Sequence, residues 1–572
     1  MTKRKFLNAF FVVLLAAVSI FAQRDLGVRP TQSGGVLMPE QAAYDVKHYD
    51  LSVTPNIKEQ SIKGVLIIKA EILKPIDKFV LDLDQSLTVE SVALVIPIIK
   101  AEIPLKFEHK DGKIWIDLGQ KTSGGKKVSD KKKSYRTNDG IKIVYSGKPK
   151  VAPSPPWVGG FVWSKTKDGS PWIATAVQND GADLWFPVKD HPSDKPDTVS
   201  LHFTVPANLV AASNGKLKSV VDNKDGTKTF NWEVSQPISN YCIALNIAPY
   251  KLIEDEMTSA AGDKIPIRFY VLPEHYEKGF DLVKKTKDYV RFFEEILGPY
   301  PFRADKLGIA ETPHLGMEHQ SITAYGNDFK YDKDGVDTLM FHELGHEWWA
   351  NLVTAPDWND FWIHEGFQSY MDALYKDKLR GSREQFIKSL PDRIKFTKNL
   401  KPVAPREPKT TTEMYLIPPD YVRSDNDIYG KGSLILNTLR GYIGDKPFFR
   451  SLRRMAYPNP KMEKVTNGKQ FHFATTDDFL RIAERESGKK LDWFFELYLR
   501  QPQLPKLRVE TGPNQLLLEW ETPNNLPFPL PVEIKIGGEI KRVEMTNNTG
   551  SIALPQGAKF EIDPNGWLLR AS

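Results

Sequence analysis

Residues 338–352 contain the segment that most constrains the fold, His342-Glu343-Leu344-Gly345-His346. On an α-helix, residues four apart share a face with Cβ atoms about 6 Å apart, so both imidazoles can reach one ion at about 2 Å. Glu343, one position on, is turned roughly 100° about the helix axis and is free to face a water instead of the ion. Two imidazoles do not complete a site. Eighteen residues separate His346 from Glu365, which stands in Trp362-Ile363-His364-Glu365-Gly366-Phe367. A glutamate opening a second helix beside the first supplies an oxygen ligand. Two neutral imidazoles and one carboxylate form the three-protein-ligand set of a catalytic Zn2+, with the fourth position left for water. A structural site more often closes with four protein ligands. The chain is therefore expected to bring two helices side by side around one zinc ion.

Cysteine usage removes the alternatives. Cys242 is the only cysteine, which excludes intrachain disulfides and a thiolate-rich metal site. Of the 11 histidines, His314, His319 and His364 lie close to the motif in sequence, and they are expected to support the site or lie at the surface, not to bind the ion.

At the N-terminus, Lys3, Arg4 and Lys5 precede an apolar run to Ala22. This reads as a secretory signal over residues 1–22, which implies an exported protein, periplasmic or extracellular. No second apolar run reaches spanning length, so no stable membrane span is expected once the signal is cleaved. The formal charge of +6 is concentrated in part in a lysine-rich stretch at residues 126–133, read as a solvated loop. No nucleic-acid motif accompanies it, so nucleic acid is not an expected partner.

At 572 residues the chain is too long for one core. Residues 44–253 alternate apolar and polar positions in short runs, the period-two pattern of an all-β domain. A proline-rich passage at 148–172 is expected as a long surface loop. Over residues 254–504 the spacing becomes helical, at 280–297, 336–352, 365–379, 429–444 and 476–487. Strand-like runs return over residues 505–572, read as a small C-terminal β-sandwich. The expected class is multidomain α+β.

At the zinc motif the sequence resembles the M1 family of zinc aminopeptidases, gluzincins related to aminopeptidase N and leukotriene A4 hydrolase. The match runs from His342 to Val353 with Glu365 at the family spacing. The resemblance implies a thermolysin-like catalytic domain over residues 254–504. It also implies a zinc aminopeptidase acting on peptides with a free N-terminus, with Glu343 as general base. Gly316, Met317 and Glu318 match the family's G-x-M-E-N exopeptidase motif, although Leu315 stands at its first glycine and His319 at its asparagine. Gly316 and Met317 suit an edge strand that hydrogen-bonds an extended peptide, and Glu318 is placed to pair with its α-ammonium. Tyr429, in Asp427-Ile428-Tyr429-Gly430-Lys431-Gly432, matches the tyrosine that stabilises the tetrahedral intermediate. Gln178 and Asp180 align with the family's T-Q-x-E segment, whose glutamate helps bind the amine; Asp180 stands in its place. Many relatives carry a large helical fourth domain, whereas about seventy residues follow Pro505, so a more open cleft is expected. The competing readings are a zinc endopeptidase, an epoxide hydrolase like the family's bifunctional member, and a non-catalytic peptide-binding protein. A binding protein would be free to lose Glu343 or a ligand, and all four residues are present.

Overall fold

The computed structural model describes residues 33–118, 139–415 and 427–571. The expected secretory segment and the lysine-rich stretch lie outside the described residues. Short alternating runs build an eight-stranded sheet. Its strands, in spatial order, are Lys216–Asp222, Thr227–Val234, Thr198–Pro206, Tyr44–Asn56, Ser61–Ile72, Gly140–Gly147, Leu87–Ile96 and Ala101–Pro104. Strand residues two apart share a face, and the register pairs Tyr49 with Ile68 and Leu51 with Leu66, all four buried.

A second sheet comprises Val210–Ala212, Asn246–Ala248, Pro171–Ala176 and Gly160–Lys165. The last two strands fall within or overlap the passage expected as a surface loop, and they pair antiparallel. The prolines are overridden by aromatic packing, because Phe161 stacks on Trp163 and meets the buried Trp185 edge-on.

From residue 251 the pairing changes to a five-stranded mixed sheet, ordered Lys251–Thr258, Lys264–Val271, Leu307–Glu311, Thr323–Tyr325 and Gly316–Met317. Gly316–Met317 is the antiparallel edge strand. The helices are α1 (Tyr276–Leu297), α2 (Thr338–Gly345), α3 (Trp362–Arg380), α4 (Glu384–Lys395), α5 (Thr411–Tyr415), α6 (Gly430–Ile443), α7 (Asp445–Ala456), α8 (Thr476–Ser487) and α9 (Asp492–Arg500). Asp337 caps α2, accepting a hydrogen bond from the Met340 amide at 3.0 Å.

Helix α2 is shorter than its apolar spacing suggests. After His346 the backbone widens, and the amides of Asn351, Leu352 and Val353 donate to carbonyls five residues back. The paired indoles pack at this point. Trp348 stacks on Phe293 of α1, whereas Trp349 packs on Phe367 of α3, so the widened turns are held between both helices.

The seam between the β-rich unit and the following domain carries buried hydrogen bonds. Asn214 Nδ2 donates to the Gln320 carbonyl at 2.7 Å, Lys195 Nζ to the Asn351 carbonyl at 2.9 Å, and the Tyr250 hydroxyl to the Glu311 carbonyl at 2.6 Å. The C-terminal unit is two three-stranded sheets, Lys506–Thr511 with Gln515–Glu521 and Thr549–Ala553, and Glu539–Val543 with Val532–Ile536 and Phe560–Ile562. Leu516, Leu518 and Trp520 from one and Ile534 from the other are buried. Among the described residues, no helix is long and apolar enough to cross a membrane.

Candidate active site

Helix α2 presents His342 and, at its C-terminal end, His346; the first turn of α3 presents Glu365. Each imidazole Nε2 lies 3.5 Å from Glu365 Oε2. The remaining ring nitrogens are already engaged. His342 Nδ1 is 2.8 Å from Asp372 Oδ2, and His346 Nδ1 is 2.7 Å from the Trp349 carbonyl oxygen. The carbonyl can only accept, and so can an ionised carboxylate, so each Nδ1 carries a proton, and in the neutral imidazole that leaves the Nε2 lone pair facing inward. Glu365 Oε1 accepts from the Tyr429 hydroxyl at 2.6 Å and from the Tyr415 hydroxyl at 3.3 Å, while the buried Oε2 receives no hydrogen bond. Three atoms able to donate an electron pair thus converge. The set fits a divalent cation, and two nitrogens with one oxygen, each ring oriented by an acceptor behind it, fit zinc.

Glu343 faces the same cavity, about 370 Å³ in volume. Burial pushes its carboxyl well above the usual carboxylate range, with His342 drawing it part of the way back. The edge strand approaches closely here. A Cβ on Gly316 would lie 2.7 Å from Leu339 Cδ1 and 2.9 Å from Glu343 Oε1, so residue 316 has to be glycine for α2 and the strand to meet.

Glu318 follows that strand. Its Oε1 accepts from the Tyr241 hydroxyl at 2.9 Å and from Gln178 Nε2. Its backbone carbonyl accepts from Asn351 Nδ2 at 3.0 Å, and the buried Cys242 thiol lies 3.6 Å from the same oxygen. Burial raises the Glu318 carboxyl and His346 opposes the rise. Gln178 Oε1 in turn accepts from Tyr415, whose hydroxyl is 2.8 Å from that of Tyr429. A hydrogen-bonded chain therefore links Glu318 to the ligand cluster.

His342, His346, Glu365, Glu343, Gly316, Met317, Glu318, Gln178 and Tyr429 all border one cavity. Asp180 does not. The chain has turned after the Pro171–Ala176 strand, and the short Asp180 side chain accepts from the Gly159 amide at 2.6 Å and lies 3.5 Å from Lys150 Nζ. The amine-binding role expected from its alignment is corrected accordingly. His314, His319 and His364 are all buried, none at the surface, and none joins the ligand cluster. Burial lowers them to about 4, about 3 and about 3, which keeps them neutral. His364 Nε2 accepts from the Ala355 amide at 3.0 Å and so braces the turn ahead of α3.

Three contributors were missed in the sequence. Asp372 was legible in principle, because it lies seven residues, two helical turns, beyond Glu365 and on the same face. Tyr241 and Tyr415 carried no local signal.

Known proteins share sequence and fold with this chain. A model described as the peptidase M1 N-terminal domain matches residues 45–242, and one described as the peptidase family M1 domain matches residues 280–498. The probable aminopeptidase 2 of Sulfurisphaera tokodaii is 24% identical over 524 residues, covering 87% of this chain and 61% of that protein. The glutamyl aminopeptidase of Bitis rhinoceros is 28% identical over 343 residues, covering 57% of this chain and 34% of that protein. The chain thus spans about a third to three fifths of the length of the curated relatives it matches. Among solved structures, a mutant M1 zinc metallopeptidase from Deinococcus radiodurans bound to a Tyr-Ser-Ala substrate superposes with a TM-score of 0.62 at 21% identity. The superposition covers 81% of this chain and 95% of that one, and it establishes the shared fold.

Proposed function

The chain belongs to peptidase family M1, and on that premise we propose that it is a zinc-dependent aminopeptidase that hydrolyses the first peptide bond of peptides with a free N-terminus. One observation carries the reading. Ligating atoms of Glu318, Glu343 and His346 lie within 4.8 Å of one another. An extended residue spans about 3.3–3.6 Å. Glu318 thus stands little more than one residue's length from His346, so a peptide whose carbonyl faces the ligand cluster brings its own α-amino group, and not a preceding residue, to Glu318. An endopeptidase would need the chain to continue through Glu318.

The residues divide the work as follows. Bound zinc, held by His342, His346 and Glu365 with one ion per chain, would supply Lewis-acid polarisation of the scissile carbonyl and of a water. Glu343 takes a proton from the attacking water and delivers it to the departing amine. Tyr429 redirects its hydroxyl from Glu365 towards the developing oxyanion. Glu318 pairs with the substrate ammonium, with Tyr241 and Gln178 fixing its carboxylate. The Gly316–Met317 backbone offers edge-strand hydrogen bonds to the extended peptide.

The test is hydrolysis of aminoacyl-coumarin substrates with and without chelator. Free-amine substrates should be cleaved, chelation should abolish cleavage, and zinc should restore it. Equal cleavage of N-acetylated analogues would overturn the exopeptidase reading. The proposal extends to export, on the basis of the secretory pattern in residues 1–22, and fractionation of expressing cells checks it.

A further inference from the structure

The turn after the Pro171–Ala176 strand sends three consecutive side chains to different places. Gln178 reaches Glu318. Asn179 Nδ2 donates to the Trp157 carbonyl at 2.8 Å, and Asp180 accepts from the Gly159 amide. The segment carrying Trp157 is therefore tied at that residue's own carbonyl and again two residues on, at Gly159. It also lies close against the strand, since a Cβ on Gly159 would sit 2.6 Å from the Ala176 carbonyl oxygen. Pro156 and the half-buried Trp157 form part of the cavity wall.

This wall stands at the amine end of the cleft. The residue that holds Trp157 is the chain neighbour of the residue that holds Glu318. Tyr415, bonded to Gln178, and Met317, which precedes Glu318, border the same end. The charge in the cavity is one-sided. Glu318, Glu343, Glu365 and Asp372 border it, and no lysine or arginine does among the described residues.

We infer that the Trp157 segment, held by Asn179 and Asp180, is the specificity-determining wall for the first residue of the substrate. It favours an aromatic or large aliphatic side chain and rejects an acidic one. The inference rests on the aminopeptidase reading. An apolar subsite discriminates by roughly tenfold or more for each methylene group it gains or loses. An acidic side chain would meet no lysine or arginine there among the described residues to offset the four carboxylates. Asp180 acts as a positioning residue, since its carboxylate sets where the indole stands without reaching the substrate.

The experiment compares phenylalanyl, leucyl, alanyl, arginyl and glutamyl coumarin substrates on the full chain. Wild type should prefer phenylalanyl and leucyl, with glutamyl poorest. Trp157→Ala should lower the phenylalanyl-to-alanyl ratio of kcat/KM about tenfold, and Trp157→Phe should keep most of it. Asp180→Ala should lower the same ratio, and Asp180→Asn, which still accepts from the Gly159 amide, should restore part of it. A proportional loss on every substrate, an unchanged ratio, or a wild-type preference for arginyl or glutamyl would overturn the inference. Calorimetric binding of phenylalaninamide and alaninamide to Glu343→Gln separates the two readings. Tighter phenylalaninamide binding without wild-type turnover would retire the proposed reaction and leave the wall standing; equal affinities would retire the wall.

Discussion

Tyr241 and Gln178 converge on a single oxygen of Glu318, so the other is left for a substrate ammonium. A hydrogen bond to a charged group contributes about 1.5–3 kcal/mol. Tyr241→Phe should therefore raise KM for free-amine substrates by about tenfold and leave kcat nearly unchanged, a split that steady-state kinetics reads directly. Glu343→Gln should retain stoichiometric zinc by elemental analysis and lose turnover by a hundredfold or more, the scale of a lost general base. Activity close to wild type would remove Glu343 from the mechanism. At this scale the sequence was legible where chemistry follows chain spacing. His342, His346 and Glu365 are fixed by one helix turn and a set separation, and Glu343 and Glu318 by their neighbours. Tyr241 was hidden because its partner is 77 residues away, and Asp180 was misplaced because the course of a turn decides where a short side chain points.

Helices α2 and α3 hold the ligand cluster through a tight crossing. A Cβ on Gly345 would fall 1.9 Å from Gln368 Oε1, and Gln368 Nε2 donates to Asp372 Oδ1 at 3.0 Å, the carboxylate that orients His342. Gly345→Ala should displace the buried Gln368, loosen Asp372 and weaken zinc affinity by about 10–100-fold, the usual cost of disturbing the group behind a metal-bound histidine. Competition with a chromophoric chelator measures it, and unchanged affinity would show that the crossing does not support the site. Element type was readable where one periodicity ran unopposed, as in α1, α3 and α8. It failed where packing overruled local pattern. Helix α2 gives way to wider turns where Trp348 and Trp349 pack on α1 and α3, and the aromatic cluster around Phe161 makes strand from a proline-rich passage.

Across the whole molecule, the ligand cluster joins α2 to α3, while Glu318 is clamped from the β-rich unit by Tyr241 and Gln178, so metal and seam are coupled through one cavity. A ligand that binds only the folded chain stabilises it by about 2.7 kcal/mol at a hundred times its Kd. Chelation should lower the melting temperature by a few degrees and zinc should restore it; an unmoved midpoint would argue against a metal in this cavity. The seam itself was not foreseeable, because Asn214, Lys195 and Tyr250 reach carbonyls far along the chain. The chain's lone thiol, Cys242, sits at that junction, 3.3 Å from Asn351 Oδ1 and driven well above its ordinary pKa by burial. Nature has thereby installed a silent reporter. A maleimide dye should leave the closed protein unstained, and the pace at which it takes up colour clocks how often the two halves part.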